Sequence, residues 1–170
     1  MDIEAFLEIV DDVAASSIIP KEKRSILMDK LAVLSGEEVY AFDEILTSLR
    51  DRAYRWDIRG VAYIIGEGCG DDSFDDFRYT QVFRGHAAFE RLLNDPDSIG
   101  EEEFENAERE CFFEGLQYVP TEVLEGKTDF FYPDDNYVHP AELAGTRWDQ
   151  SELPDLFPKT WAKYGWKLNS

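Results

Sequence analysis

The chain has 170 residues, of which 44% are hydrophobic and 14% aromatic, so it is long enough to bury a core as one domain. Acidic residues outnumber basic ones by 37 to 17, which gives a formal net charge of −20 at pH 7. This charge argues against nucleic acid and anionic membranes as partners and favours basic proteins. Solubility, or a salt-adapted proteome, is the alternative explanation of the charge and stays open.

The cysteines and the N-terminal residues indicate the compartment. The two cysteines, Cys69 and Cys111, are too few for a disulfide framework and lack metal-ligand spacing. A reducing setting follows as the expectation. The first residues are acidic where a signal peptide needs basic ones, and no apolar run is long enough for a membrane span. The sequence therefore predicts a soluble, cytoplasmic protein.

Apolar residues recur with helical periodicity over the first two thirds of the chain. The predicted helices end near 16–17 and then cover 20–36, 37–54, 56–65, 72–84 and 86–93. Their predicted buried residues are Phe6, Leu7, Ile9, Val10, Val13, Ile26, Leu27, Leu31, Leu34, Val39, Phe42, Ile45, Leu46, Leu49, Ile58, Val61, Ala62, Ile65, Phe74, Phe77, Val82 and Phe83. Gly60 costs a helix about 1 kcal/mol relative to Ala, which indicates close packing at that position.

The last third of the chain has a weaker pattern. An acidic helix is predicted over 101–118. Its inward-facing residues are Phe104, Ala107, Cys111 and Phe112. Beyond it, prolines alternate with aromatic residues, and a disordered tail would be poor in aromatics. The prediction is a mainly α, single-domain bundle (1–170) of about six to eight helices. It comprises N-terminal helices (1–54), a central core (55–118) and an irregular, aromatic-rich C-terminal strap (119–170).

A glycine-rich turn at 66–70 precedes four closely spaced aspartates, Asp71, Asp72, Asp75 and Asp76. Asp72 is predicted to be the N-cap of the following helix. Acids in a first turn stabilise a helix by about 0.3–1 kcal/mol each, whereas like charges at i,i+4 cost about 0.2–0.5 kcal/mol. These effects nearly cancel, so two interpretations stay open: a capped helix with local ion pairs, or an acidic site for a cation or basic partner.

We predict two roles around this turn. Gly68, Gly70 and Arg78 are predicted to hold the turn itself, with Arg78 relieving part of the repulsion at Asp75. Trp148 and Trp161 are included among the partner-binding residues because tryptophan is favoured in interface hot spots. The predicted partner-binding residues are Glu67, Asp71, Asp72, Asp75, Asp76, Trp148 and Trp161.

The sequence gives little support for a metal site or a catalytic nucleophile. The segment 95–106 places Ile99 and Asn106 where an EF-hand needs a ligand and a bidentate Glu, so the match fails. His86 and Glu90 have i,i+4 spacing but lack a third ligand. Cys69, near a helix start, could have a lowered thiol pKa, yet no motif supplies a base. No metal, cofactor or catalytic residue is predicted.

Several motifs between 56 and 98 resemble a known family. They are Trp56, the run GVAYII at 60–65, the turn GCGDDSF from Gly68, Phe77-Arg78, and Gly85 through FERLLNDPDS. This segment is similar to the DUF4240 family, small bacterial domains of uncharacterised function. It departs from the family pattern at Gly70, where Ser is usual, and at 79–80, where Trp-Leu is usual. The resemblance implies a mainly helical fold and no reaction.

Two hypotheses of function follow, besides a third interpretation in which the chain is a purely structural or regulatory helical domain. The first is an acidic, soluble interaction protein that binds and blocks a basic protein partner, most concretely a bacterial immunity or antitoxin-type protein facing a toxin. The second is an uncharacterised enzyme or metal-dependent hydrolase that uses Glu67, Asp71 and Asp72, with His86. The absence of a recognisable catalytic set favours the first hypothesis.

Overall fold

The computed structural model describes residues 1–133 and 136–169; residues 134, 135 and 170, which fall in the predicted strap, lie outside the described part. Six helices of nine residues or more occupy the first 94 positions. They are α1 (Ile3–Ser16), α2 (Pro20–Ala32), α3 (Gly36–Arg52), α4 (Trp56–Ile65), α5 (Asp71–Val82) and α6 (His86–Asn94). The mainly α, single-domain fold class is thus confirmed. The bounds of α4 coincide with those predicted from periodicity.

Local caps set the first helix boundaries. The Asp2 side chain accepts a hydrogen bond from the Ala5 N–H at 2.9 Å at the start of α1. Pro20 occupies the first turn of α2, where its missing N–H costs nothing. Ser35 and Glu38 form a reciprocal capping box at the start of α3. The prediction that α2 extends to 36 is therefore wrong, since this capping box starts a new helix there.

The core formed by these helices is the one predicted from the apolar pattern. Most of the predicted buried residues are fully buried, and the five half-buried exceptions pack against the core. These exceptions are Leu7, Ile9, Ile26, Leu34 and Ile45. A Cβ added to Gly60 would overlap the ring of Phe157, so the close packing expected at this glycine is confirmed. None of the helices in the described residues is both long and apolar enough to cross a membrane.

The helix predicted over 101–118 is wrong for most of its length. A 3-10 helix (Pro96–Glu101) precedes it, and only α7 (Ala107–Cys111) is α-helical. Asn106 starts α7 by accepting the Arg109 N–H at 3.0 Å. After α7, the Phe113 N–H donates to the Thr80 hydroxyl at 3.1 Å instead of to a helical carbonyl. A cap inside the pattern and a tertiary hydrogen bond therefore shorten this helix.

The described residues of the C-terminal segment contain more helix than predicted. It contains α8 (Val119–Glu125), α9 (Leu153–Leu156) and α10 (Pro158–Tyr164), with 3-10 helices at Gln150–Glu152 and Gly165–Asn169. A single parallel bridge joins Arg55 to Ala144, and the described residues contain no other β-structure. α10 packs on α4 and on the 3-10 helix at Pro96–Glu101. The division at residues 54 and 118 stays a prediction.

The buried carboxylate of Asp97 anchors α10. It accepts the N–H of Lys159 at 3.0 Å, and both the N–H and the hydroxyl of Thr160 at 2.9 Å. Because the N-cap residue of α10 is Phe157, which has no acceptor side chain, Asp97 supplies the cap from a distant segment. The motif around Asp97 therefore holds the C-terminal segment in place.

Candidate functional site

The turn between α4 and α5 has a backbone that favours glycine. Gly68 has a φ of +123°, which L-residues rarely adopt, and its N–H donates to the Tyr63 carbonyl at 2.9 Å. Glu67 also has a positive φ, of 56°. Gly70 is the N-cap residue of α5, so no side chain accepts a hydrogen bond from the first N–H groups of this helix at that position. The turn thus directs the chain from the end of α4 straight into the acidic start of α5.

Arg59 of α4 holds this turn, a role the sequence analysis assigned to Arg78. One guanidinium nitrogen of Arg59 donates to the Cys69 carbonyl at 3.1 Å and to the Asp71 carboxylate at 2.9 Å. The prediction that Asp72 is the N-cap is wrong, since the cap falls two residues earlier. Asp71 and Asp72 instead lie in the first turn, where the partial positive charge of the helix favours acids.

Arg78 belongs to a buried charge cluster, which we define as Arg50, Asp51, Asp75 and Arg78. Arg78 donates to Asp75 at 2.7 Å, and Arg50 pairs with Asp51 at 2.7 Å and with Asp75 at 3.4 Å. The side chains of Arg78 and Asp51 are each only 7% exposed. Burial lowers the pKa of Arg78. Two positive and two negative charges balance each other, so this cluster is suited to joining α3 to α5.

Aromatic rings enclose the guanidinium of Arg78. Its centre lies 4.7 Å from the ring of Tyr54 and 4.9 Å from that of Phe74. A tail residue covers the neighbouring Arg50: the Nδ1 atom of His139 lies 2.9 Å from its guanidinium and 3.0 Å from the Asp51 carboxylate. The C-terminal segment therefore closes over the cluster.

The sequence analysis did not find this cluster. The local signal was the spacing of Asp75 and Arg78 on α5, which the sequence analysis noted without connecting it to Arg50 or Asp51 of α3. His139 is 88 residues from Asp51, and no local pattern connects them.

A second group of acids lies on the other side of α5. We call Asp72, Asp76, Glu114 and Tyr118 the acidic patch. Asp76 accepts a hydrogen bond from Gln117 at 2.7 Å, and Tyr118 donates to Glu114 at 3.3 Å. Burial, with repulsion from Glu114 and from the other aspartates of α5, raises the pKa of Asp76 against the effect of that hydrogen bond. The patch therefore concentrates negative charge without a cation of its own in the described residues.

The remaining predicted binding residues are held within the fold. Glu67 pairs with Lys167 at 3.0 Å, and Asp75 belongs to the buried charge cluster. The indole N–H of Trp148 donates to the Trp56 carbonyl at 2.6 Å, and its ring packs edge-on against Trp56 and Tyr63. The half-buried ring of Trp161 packs against Gly165, where a Cβ would overlap it. These side chains contribute packing and local ion pairs.

The features considered for metal or nucleophile chemistry lie apart. Within 1–133 and 136–169, no group of three or more His, Cys, Asp or Glu side chains is placed to hold a metal ion. The backbone N–H of His86 donates to the Asp11 carboxylate at 2.6 Å, which caps α6 from α1. Burial raises the pKa of the Cys69 thiol to about 11, opposite in direction to the lowered pKa that a position near a helix start could give.

Comparison with known proteins extends the resemblance beyond the central segment. A family model described as a protein of unknown function, DUF4240, matches residues 1–125. This range includes α1 to α8, the buried charge cluster and the acidic patch, whereas α9 and α10 lie beyond it. No curated protein and no solved structure matches the chain. Since the match covers well over half of its length, the chain belongs to the DUF4240 family.

Proposed function

We propose that this protein is a cytoplasmic interaction protein whose acidic patch binds a basic protein partner. Its most concrete form is an immunity or antitoxin-type protein that blocks a toxin. The observation that supports the proposal is the gathering of Asp72 and Glu114 around Asp76, where they contribute to the raised pKa of that carboxyl. A lysine or arginine of a partner, placed at this point, would relieve the repulsion.

The distribution of the other charges supports the same partner chemistry. Most arginines already pair with acids inside the fold, among them Arg50, Arg59 and Arg78. The net charge of −20 is therefore carried largely by acids without a partner cation. Such a field accelerates encounters with basic proteins and repels nucleic acid.

The patch also contains an anchor suited to an interface. Tyr118 is 49% exposed beside Glu114. Tyrosine is enriched at interfaces because its ring adds contact area while its hydroxyl keeps a hydrogen bond. An aromatic side chain bordered by acids matches a basic surface with a small apolar centre.

The hydrolase hypothesis has less support. Two of its three acids, Glu67 and Asp71, are neutralised by Lys167 and Arg59. Releasing both carboxylates for a metal would break these pairs, including the 2.9 Å hydrogen bond from Arg59 to Asp71.

The test is binding to the purified product of the adjacent gene, measured by calorimetry at about 50 and 200 mM salt. The patch variant carries Asp72→Asn, Asp76→Asn and Glu114→Gln. We expect wild-type affinity to fall with salt, and the patch variant to bind at least about tenfold more weakly.

A matched control removes the same charge elsewhere, through Glu8→Gln, Asp29→Asn and Glu105→Gln, all exposed. The control should lose much less affinity than the patch variant. Absence of binding, binding insensitive to salt, or equal losses in the two variants would refute the proposal.

A further inference from the structure

A cavity of about 200 Å³ lies on a part of the surface that the acidic patch does not include. Its walls come from the α1–α2 connection, the end of α5 and the segment 103–116. Ile18, Phe83, Phe104 and Leu116 supply apolar surface, and Lys23 supplies a charge. Ile18 is 61% exposed, so the cavity opens to solvent beside it. Apolar and polar residues line the cavity in equal number, so it suits a ligand that has both an apolar part and a polar group.

The ammonium group of Lys23 is the unusual feature of this cavity. Lys23 is only 9% exposed, and its Nζ donates to the Phe83 carbonyl at 3.0 Å. Among the described residues it forms no ion pair with any carboxylate. An ammonium has three N–H donors, and lysine is rarely buried unless a negative charge accompanies it. The fold thus buries a positive charge and leaves it without a counterion.

Three other charged side chains line the cavity, and two of them, Arg84 and Glu103, form ion pairs. Arg84 pairs with Glu102 and donates to Gln81 at 3.1 Å. Its guanidinium carbon also lies over the Phe104 ring, 4.8 Å from the ring centre. Glu110 accepts the Asn106 N–H at 2.7 Å.

Glu103 is likewise engaged, since it pairs with Lys163 at 3.1 Å. Burial and the neighbouring Arg84 lower the pKa of Lys23, while Glu110 raises it less. Of the two cations that line the cavity, Arg84 has an ion pair and Lys23 has none among the described residues.

We propose that this cavity binds a small carboxylate with a short apolar chain, whose oxygens accept hydrogen bonds from Lys23. The apolar chain packs against Phe83, Phe104 and Leu116. The carboxylate supplies the missing counterion, and the volume limits the ligand to a small molecule. This site is separate from the acidic patch and does not depend on a basic partner.

The test uses butyrate as the probe, with butyramide as its uncharged counterpart and inorganic phosphate as an anion without an apolar chain. Binding is followed by chemical-shift changes in the side chains of Ile18 and Leu116. We expect saturable changes with butyrate and none with butyramide or phosphate. Lys23→Met should weaken butyrate binding by about tenfold to a hundredfold, because it removes a charge-assisted hydrogen bond.

Two further variants control for loss of the fold. Lys21→Met removes a charge from an exposed position on the same helix and should leave binding unchanged. Ile18→Glu places a like charge at the exposed mouth, keeps Lys23, and should weaken binding through repulsion. The proposal is overturned if butyrate does not bind, if butyramide or phosphate binds equally well, or if folded Lys23→Met binds like the wild type. Unchanged affinity in Ile18→Glu would also overturn it.

Discussion

Replacing Asp97 tests whether a distant carboxylate fastens the C-terminal segment to the family core. Asp97 is 8% exposed and accepts three hydrogen bonds from the start of α10, two of them from Thr160, which is fully buried. In Asp97→Ala these donors lose their acceptor. Lys159 is exposed, so its N–H can donate to water instead, whereas the N–H and hydroxyl of buried Thr160 cannot.

The magnitude follows from those two buried donors. A buried donor left without a partner costs about 1–3 kcal/mol, and the loss of a helix N-cap costs about 0.5–2 kcal/mol. Removing the carboxylate also removes the cost of having buried it, which offsets part of the loss. We therefore expect Asp97→Ala to lower the free energy of unfolding by about 2–4 kcal/mol.

Urea unfolding followed by circular dichroism measures this change, and amide hydrogen exchange locates it. Exchange should accelerate in α10 more than in α3. Asp95→Ala is the matched control, because Asp95 is 57% exposed and lies 3.8 Å from Lys159 Nζ; its cost should stay below about 1 kcal/mol. A loss below about 1 kcal/mol in Asp97→Ala, or equal losses in both variants, would refute the reasoning.

Three further predictions concern other contacts in the core. Burial raises the pKa of Asp43 to about 6, so its protonated form suits the fold and stability is lost as the pH rises through 6. Asp43→Asn should therefore be more stable than the wild type by about 1–2 kcal/mol at pH 7.5 and by little at pH 4, in urea titrations. Gly60→Ala should cost about 1–3 kcal/mol through overlap with Phe157, but should be neutral or slightly stabilising in a Phe157→Ala background, as a double-mutant cycle measures. Arg78→Met should cost about 1–3 kcal/mol in thermal or urea unfolding, because it removes the 2.7 Å partner of Asp75 and leaves Arg50 to pair with both Asp51 and Asp75.

Exposed neighbours provide controls for these variants. Glu44→Gln next to Asp43, and Arg147→Met, whose guanidinium lies 5.4 Å from the Trp56 ring, should each change stability by less than about 0.5 kcal/mol. A pH-independent gain in Asp43→Asn would contradict the burial argument. Equal costs of Gly60→Ala in both backgrounds would contradict the overlap with Phe157. A negligible cost of Arg78→Met would contradict a stabilising role for its ion pairs.

The long helices were predictable because their determinants are local. Pro20 at a first turn and the apolar spacing of 56–65 act within a few residues, and the structure has helices there. The same local logic failed at Asp72, because the helix already begins at Asp71 and its N-cap residue is Gly70, which has no side chain to accept a hydrogen bond. It failed again at 101–118, where Thr80 draws the backbone of Phe113 out of the helical path.

The sequence by itself determined the helical fold class, the apolar core and the family to which the chain belongs. The tertiary structure decided which acids pair with a cation inside the fold, because pairing depends on distances between segments far apart in the chain. Asp75 and Asp76 are adjacent in sequence, yet one turns to Arg78 and Arg50 inside the fold and the other to Gln117 beside the acidic patch. Charge spacing along one helix carries no record of those partners, since it is the packing of α3, α5 and the C-terminal segment that brings them together.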